Sequence, residues 1–147
     1  MSGTGIEIRT GSTVFLDTSP FIYFIEEVEP YYSIVKYIFE KNSLGEFQIV
    51  TSTLTHTEVL TLPLKKQAAR LAIEYEEILL RSPFVYLASF DIAIAKKAAE
   101  IRATYGIQTA DAIQVATAVV SGSEMFVTND KRLSAITEIK VIQLSYV

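Results

Sequence analysis

Short apolar runs alternate with longer amphipathic stretches along the chain. Thr13-Val14-Phe15-Leu16 is the first run, rich in β-branched and aromatic residues, and it reads as a buried strand. Ser19 then suits a helix N-cap and Pro20 the first helical position, which predicts a helix over Phe21 to Glu27. Pro30 opens a second helical stretch with Ile34, Val35, Ile38 and Phe39 at helical spacing, stopped by Gly45. Phe47 to Thr51 reads as a strand, Thr53 to Leu62 as a helix broken by Pro63, and Lys65 to Arg81 as one long amphipathic helix. Phe84 to Ala88 is the third strand. Asp91 caps a helix that runs to Tyr105 and stops at Gly106, and Thr109 caps the next, Ala110 to Val120, ended by Gly122. Met125-Phe126-Val127 and Lys140 to Leu144 complete five strands.

Short apolar strands alternating with helices predict an α/β fold, a three-layer α/β/α sandwich with a central parallel β-sheet. Ligands of such sheets bind beyond the carboxyl ends of the strands. The 147 residues suit one domain, expected over 13–147, with 1–12 as an N-terminal extension. Half the residues are hydrophobic and the mean hydropathy is +0.30, enough for a full core with apolar surface to spare for an interface. No apolar run approaches the ~18 residues of a membrane span. Met1 to Ser12 does not read as a secretion signal, so the expected location is the cytoplasm.

Charge narrows the chemistry. Thirteen basic and seventeen acidic residues give a net charge of −4, which disfavours binding to nucleic acid through bulk positive charge. With no cysteine and a single histidine, thiol nucleophiles, thiolate zinc sites and multi-histidine sites are excluded. One residue in five is charged, yet Asp17 is the only charge between Thr10 and Ile25, Glu58 between Phe47 and Leu64, and Asp111 between Ala103 and Ser123. Asp17 follows a buried strand. Glu58 shares a helical face with Leu54 and Leu62, and Asp111 opens a helix that is apolar on almost every side. A carboxylate pushed toward a dry interior without a partner costs several kcal/mol, on the order of the penalty for any buried ion. A raised pKa, a base from far along the chain, or a bound cation would relieve it. Oxygen-only ligands favour Mg²⁺ or Mn²⁺ over zinc. Asp130, in Thr128-Asn129-Asp130-Lys131, is a fourth acid at the end of a strand, with Lys131 and Arg132 beside it.

Each acid also has a plain structural reading. Asp17 suits a cap, Glu58 a helix surface, Asp111 a helix-dipole partner and Asp130 a turn. The four together at one sheet edge are far more specific than any one of them. His56 reads as a packed or surface histidine, and the eight tyrosines as core and rim residues. Lys65, Lys66 and Arg70 read as a solvated helix face or as phosphate contacts.

The motifs around these acids resemble those of the PIN-domain ribonucleases. Val14-Phe15-Leu16-Asp17-Thr18-Ser19 resembles the first, an apolar strand followed by an aspartate and a small polar residue. Thr53-Leu54-Thr55-His56-Thr57-Glu58-Val59-Leu60 resembles the helical glutamate motif. Thr109-Ala110-Asp111-Ala112-Ile113-Gln114-Val115-Ala116 is similar to the aspartate that opens an Ala-rich helix, and Val127-Thr128-Asn129-Asp130 with Leu133 to the last motif. The spacings between the acids, 41, 53 and 19 positions, suit the family, and the resemblance extends over Thr13 to Leu144. Ser19-Pro20 is a small departure, harmless at a helix start.

The short stand-alone form resembles the VapC-type toxins of toxin–antitoxin pairs. The resemblance implies an Mg²⁺- or Mn²⁺-dependent endoribonuclease, a homodimer and a protein antitoxin. It makes Asp17, Glu58, Asp111 and Asp130 the expected catalytic and metal-holding residues, with Asp17 and Asp111 at the first ion. Thr18, Thr128 and Asn129 are expected to support them. Lys65, Lys66, Arg70, Lys131 and Arg132 are expected around the rim as RNA contacts. Three other readings stand beside it. An aspartate-nucleophile phosphatase wants a second aspartate where Ser19 stands. A catalytically silent PIN-like module would bind RNA or protein without cutting. An interaction module would use the apolar helices at Phe21 to Ile25 and Ile34 to Phe39 mainly to dimerise.

Overall fold

The computed structural model describes residues 5–147. Five parallel strands form one sheet: β1 (Thr13–Leu16), β2 (Gln48–Ser52), β3 (Val85–Ala88), β4 (Met125–Thr128) and β5 (Lys140–Gln143). Their spatial order is β3-β2-β1-β4-β5. The chain winds outward from β1 through β2 to β3, then crosses back to build β4 and β5 on the other side. The order therefore reverses between β1 and β4, where Phe15 pairs with Phe126 and Leu16 with Val127. A crevice opens at such a reversal, because the connections leave the two strands in opposite directions.

Side-chain alternation divides the core into two layers. Val14, Leu16, Ile49, Val85, Met125 and Val127 face one side of the sheet. They pack against α1 (Thr18–Ile25), α2 (Tyr32–Ser43), α3 (Thr53–Lys65) and α4 (Ala69–Arg81). Phe15, Val50 and Phe126 face the other side, toward α5 (Ile92–Tyr105) and α6 (Thr109–Val120). The rings of Phe15 and Phe126 stack there, with centroids 5.0 Å apart. The expected three-layer architecture is the observed one.

Several element ends differ from the expected ones, for local reasons. The first helix starts at Thr18, not Phe21, because Asp17 rather than Ser19 is its cap and accepts the Thr18 N–H. Pro20 then sits in the first turn, where its missing N–H has no intrahelical partner to lose. The second helix begins at Tyr32, two residues after Pro30. Pro63 does not break α3 but lies in its last turns, where a proline removes a single intrahelical bond. The expected helix from Lys65 to Arg81 is interrupted. Gln67 takes a left-handed conformation (φ 57°), and the Ala68 N–H bonds back to the Pro63 carbonyl, so the chain turns before α4 begins at Ala69. Gln108 rather than Thr109 is the cap of α6, a one-residue shift. Gly106 ends α5 as expected, in the left-handed conformation (φ 69°) that glycine adopts without a Cβ clash. Among the described residues no helix is long and apolar enough to cross a membrane.

Candidate active site

The crevice between β1 and β4 is a cleft of about 470 Å³, and Asp17, Glu58, Asp111 and Asp130 all line it. Each arrives from a different element. Asp17 is the residue after β1 and the cap of α1. Glu58 lies midway along α3. Asp111 is in the first turn of α6, and Asp130 follows β4 as the cap of a 3₁₀ turn over Lys131–Ala135. The acids that sequence alone spreads over 113 positions (130 − 17) therefore share one solvent-open space.

Uncharged donors hold Asp17. Its Oδ1 accepts the Thr18 N–H at 2.8 Å and the Gln114 Nε2–H at 3.2 Å, and its Oδ2 accepts the Thr128 hydroxyl at 2.7 Å. Burial nevertheless holds its pKa above the ordinary aspartate value, against the pull of those three donors, and the Glu58 charge adds to the rise. Glu58 Oε1 accepts the Thr18 hydroxyl at 2.6 Å. Among the described residues, no ion pair involves Asp17 or Glu58.

The other two acids meet a base. Arg132 grips Asp130 through Nε and Nη2, the shorter contact 2.6 Å, and its Nη2 lies 3.5 Å from Asp111 Oδ2. The guanidinium holds the Asp130 pKa below its usual value. The Asp111 pKa is raised, because burial and the charges of Asp130 and Asp17 together outweigh the more distant Arg132. Among the described residues, no three His, Cys, Asp or Glu side chains are gathered tightly enough to wrap an ion as they stand. Arg132 turns Asp130 and Asp111 toward itself, and Thr18 holds Glu58.

The supporting residues divide. Thr18 and Thr128 both donate to the acids, as just described. Asn129 lines the cleft, but its side chain donates to the Tyr23 hydroxyl at 2.9 Å and accepts the Ser145 N–H at 3.1 Å, tying the C-terminal segment to α1. Of the five basic residues expected at the rim, Lys131 and Arg132 line the cleft. Lys65, Lys66 and Arg70 are exposed at the α3–α4 turn, outside its lining. Lys131 Nζ lies 5.4 Å from the centre of the Tyr146 ring. His56 pairs with Glu76 of α4 at 2.9 Å, away from the cleft and half-buried.

Of the buried polar string beneath the acids, sequence reasoning finds Thr128 and misses Thr51, Thr55 and Gln114. Thr51, Thr55, Gln114 and Thr128 are at most 3% exposed. Gln114 Nε2 also donates to Thr55 Oγ1 at 2.8 Å, which lies 2.8 Å from Thr51 Oγ1, itself 2.8 Å from the Leu16 carbonyl. One signal for it stands in the sequence. Gln114 is a bulky polar residue in the middle of an apolar helix, three positions after Asp111 and so on the same face.

A parallel sheet with four acids in the crevice where its strand order reverses defines an α/β domain with an acidic ligand cleft. A model of the PIN domain matches residues 14–139, and the chain belongs to that family. Solved structures share the fold at low sequence identity. VapBC from Salmonella typhimurium bound to DNA matches with a TM-score of 0.71 and 20% identity, over 90% of this chain and 98% of the other. VapBC2 from Rickettsia felis bound to a fragment of its promoter gives 0.70 and 17%, over 89% and 98%. VapC20 from Mycobacterium tuberculosis, a sarcin–ricin loop cleaving toxin, gives 0.66 and 18%, over 86% and 98%. No curated protein sequence matches the chain.

Proposed function

We propose that this PIN-domain protein is a metal-dependent endoribonuclease, the toxin of a toxin–antitoxin pair. The observation that carries the proposal is the state of Asp17. It is a carboxylate aimed into an open cleft, oriented by three neutral donors, beside a second acid and, among the described residues, without a cationic partner. A buried negative charge so arranged is suited to a positive ligand. The donor set is oxygen only, which fits Mg²⁺ or Mn²⁺.

Asp17 and Asp111 would hold the ion, with Glu58 and Asp130 completing the site. Arg132 does not block this. Its side chain is 64% exposed and so open to solvent screening, and a divalent ion would compete with it for the two carboxylates. When bound, the ion supplies positive charge to the phosphate and activates water. The chain's own residues do the rest. Thr18 and Thr128 fix the Asp17 carboxylate, and Thr18 also orients Glu58 at the mouth of the cleft, where a carboxylate can take a proton from attacking water. Lys131, beside the Tyr146 ring, is placed to meet the RNA backbone. Lys65, Lys66 and Arg70 extend such contacts along the α3–α4 turn. With the four acids carrying a charge of −4, the remainder of the chain is neutral, so a divalent ion in the site halves that charge and removes much of the local repulsion toward RNA.

The nuclease unit is taken as 13–147. Within the 1–12 extension, Ile6 is packed in the core and Arg9 pairs with Glu124. Leu62, Leu64, Ile73 and Leu80, each more than half exposed on α3 and α4, offer apolar surface for an antitoxin or a second copy of the chain. VapBC relatives are described as toxin–antitoxin systems, which supports the antitoxin, and the proposed setting for the pair is the cytoplasm. One observation favours the silent-module reading, namely the Arg132 bridge across Asp111 and Asp130.

Incubation of the purified chain with cellular RNA and Mg²⁺ or Mn²⁺ separates the two. Cleavage by the wild type that EDTA stops and Asp17→Asn abolishes, with the fold checked by circular dichroism, supports the nuclease. Intact RNA in every lane, or full activity in Asp17→Asn, sinks it.

A further inference from the structure

An ionised carboxylate has about four lone-pair sites, two on each oxygen. In Asp17 both sites of Oδ1 are taken, by the Thr18 N–H and by Gln114, while Oδ2 accepts, among the described residues, only Thr128. One site remains, on Oδ2. The Thr18 bond is local to the helix cap and the Thr128 bond lies on the other oxygen. Gln114 is therefore the residue whose presence decides whether Oδ1 has a site to give.

The placement of Gln114 is costly unless its hydrogens matter. Both hydrogens of its amide nitrogen are used, one on Asp17 and one on Thr55, while its Oε1 is buried with no hydrogen-bond partner among the described residues. Turning the amide over would set that oxygen against the Asp17 carboxylate, so the orientation is fixed by charge. A leucine or methionine would fill the apolar α6 interface without an orphaned oxygen. The amide also closes a ring of hydrogen bonds, from Asp17 to Gln114, Thr55, Thr51 and the Leu16 carbonyl next to Asp17. That ring ties β1, β2, α3 and α6 together behind the carboxylate.

The geometry points to Gln114 as a positioning residue that limits Asp17 to one oxygen toward a cation and so selects Mg²⁺ or Mn²⁺ over Ca²⁺. The inference rests on the reading of Asp17 as a metal-holding residue. Mg²⁺ takes single carboxylate oxygens in a small octahedral shell, whereas Ca²⁺ is larger, takes more oxygens and commonly grips a carboxylate through both. A carboxylate with one oxygen already filled serves the first kind of ion and starves the second.

Titration calorimetry of the full chain with MgCl₂, MnCl₂ and CaCl₂ tests this, with no dependence on RNA cleavage. In Gln114→Met, which removes both donors at similar volume, the preference for Mg²⁺ over Ca²⁺ is expected to fall about tenfold, the lower end of what partners behind a metal ligand contribute. Thr55→Val removes the other anchor of the amide without touching Asp17. It is expected to move the preference in the same direction by less, and it decides the matter if Gln114→Met does not fold. Both variants keeping the wild-type preference overturns the role of Gln114 and leaves the metal reading standing. A wild type that binds none of the three ions, or an Asp17→Asn variant that binds them as the wild type does, overturns the metal reading and this inference with it.

Discussion

The two halves of the cleft treat their acids in opposite ways. On one side Asp17 and Glu58 receive only neutral donors, namely Thr18, Gln114 and Thr128. On the other, Asp130 and Asp111 share the Arg132 guanidinium. A hydroxyl or amide orients a carboxylate without cancelling its charge, and a guanidinium does both. The shifts follow: Asp17 is pushed up by burial, Asp130 is held down by Arg132, and Asp111, only within 3.5 Å of the guanidinium, still ends up raised. Among the described residues, the side without a base is thus the one whose negative charge has no compensating cation. The side with Arg132 carries its own removable counter-charge.

The largest expected effect tests that asymmetry directly. Asp17→Asn should lower metal-dependent RNA cleavage by roughly 1,000-fold or more, the several kcal/mol that a metal's charge supplies to a transition state. Asp130→Asn should cost only about tenfold, as for a group behind the principal ligands. The fold should survive Asp17→Asn. The asparagine oxygen can accept from Thr18 and Gln114 as before, and its NH₂ can donate to the Thr128 hydroxyl. Equal losses in the two variants, measured as initial rates on one RNA, would break the comparison.

Removing the counter-charge is the next test. Arg132→Met should tighten Mn²⁺ binding several-fold, because the ion no longer competes with the guanidinium for Asp130 and Asp111. The same variant should melt slightly lower in EDTA, where Asp111 and Asp130 are left facing each other unpaired. Titration calorimetry and a thermal melt read the two effects separately. Weaker Mn²⁺ binding in Arg132→Met would mean that the guanidinium supports the site rather than competes for it.

What the sequence disclosed and what it withheld differ by range. The strands are legible because each is a short apolar run, Asp17 because it stands alone in an uncharged window after one, and Glu58 and Asp111 because each stands alone in an uncharged window on a helix. The parallel sheet and the convergence of the four acids follow from those two facts. Arg132 was read as an RNA contact. Its grip on Asp130 depends on the 3₁₀ turn after β4, and its approach to Asp111 on a contact 21 residues away (132 − 111), neither of which periodicity encodes. The string of Thr51, Thr55 and Gln114 was hidden for a similar reason. Threonines in a strand and at a helix start are ordinary by propensity, and only their meeting across β2, α3 and α6 gives them a task. The turn at Gln67 defeated the expectation of one helix from Lys65 because no glycine or proline marks it. A glutamine takes a left-handed conformation there at a cost of roughly 1–2 kcal/mol, outweighed by the packing of α4 as a separate helix.

The smallest expected effect is in pH. Asp17 and Asp111 bind their protons more tightly folded than unfolded, so for these groups the native state holds more protons between the ordinary aspartate pKa of 3.8 and their raised folded values. Their contribution to stability is complete below the unfolded pKa and is lost as pH rises through the folded values. Asp130 works the other way. Its contribution is present above the unfolded pKa and is lost only as pH falls through its depressed folded value, below that window. Within the window the first two therefore set the slope. In EDTA, the wild type should gain thermal stability as the pH is lowered from neutral toward about 4.5, just above the ordinary carboxylate range. Asp17→Asn, lacking one of the two groups, should show a flatter dependence. Saturating Mn²⁺ should reverse the sign, because the ion needs both carboxylates ionised and its stabilisation fades as they protonate. Parallel melting curves that leave the wild type and Asp17→Asn with the same slope in EDTA would place the buried, uncompensated charge somewhere other than Asp17, and the contrast between the two halves of the cleft would go with it.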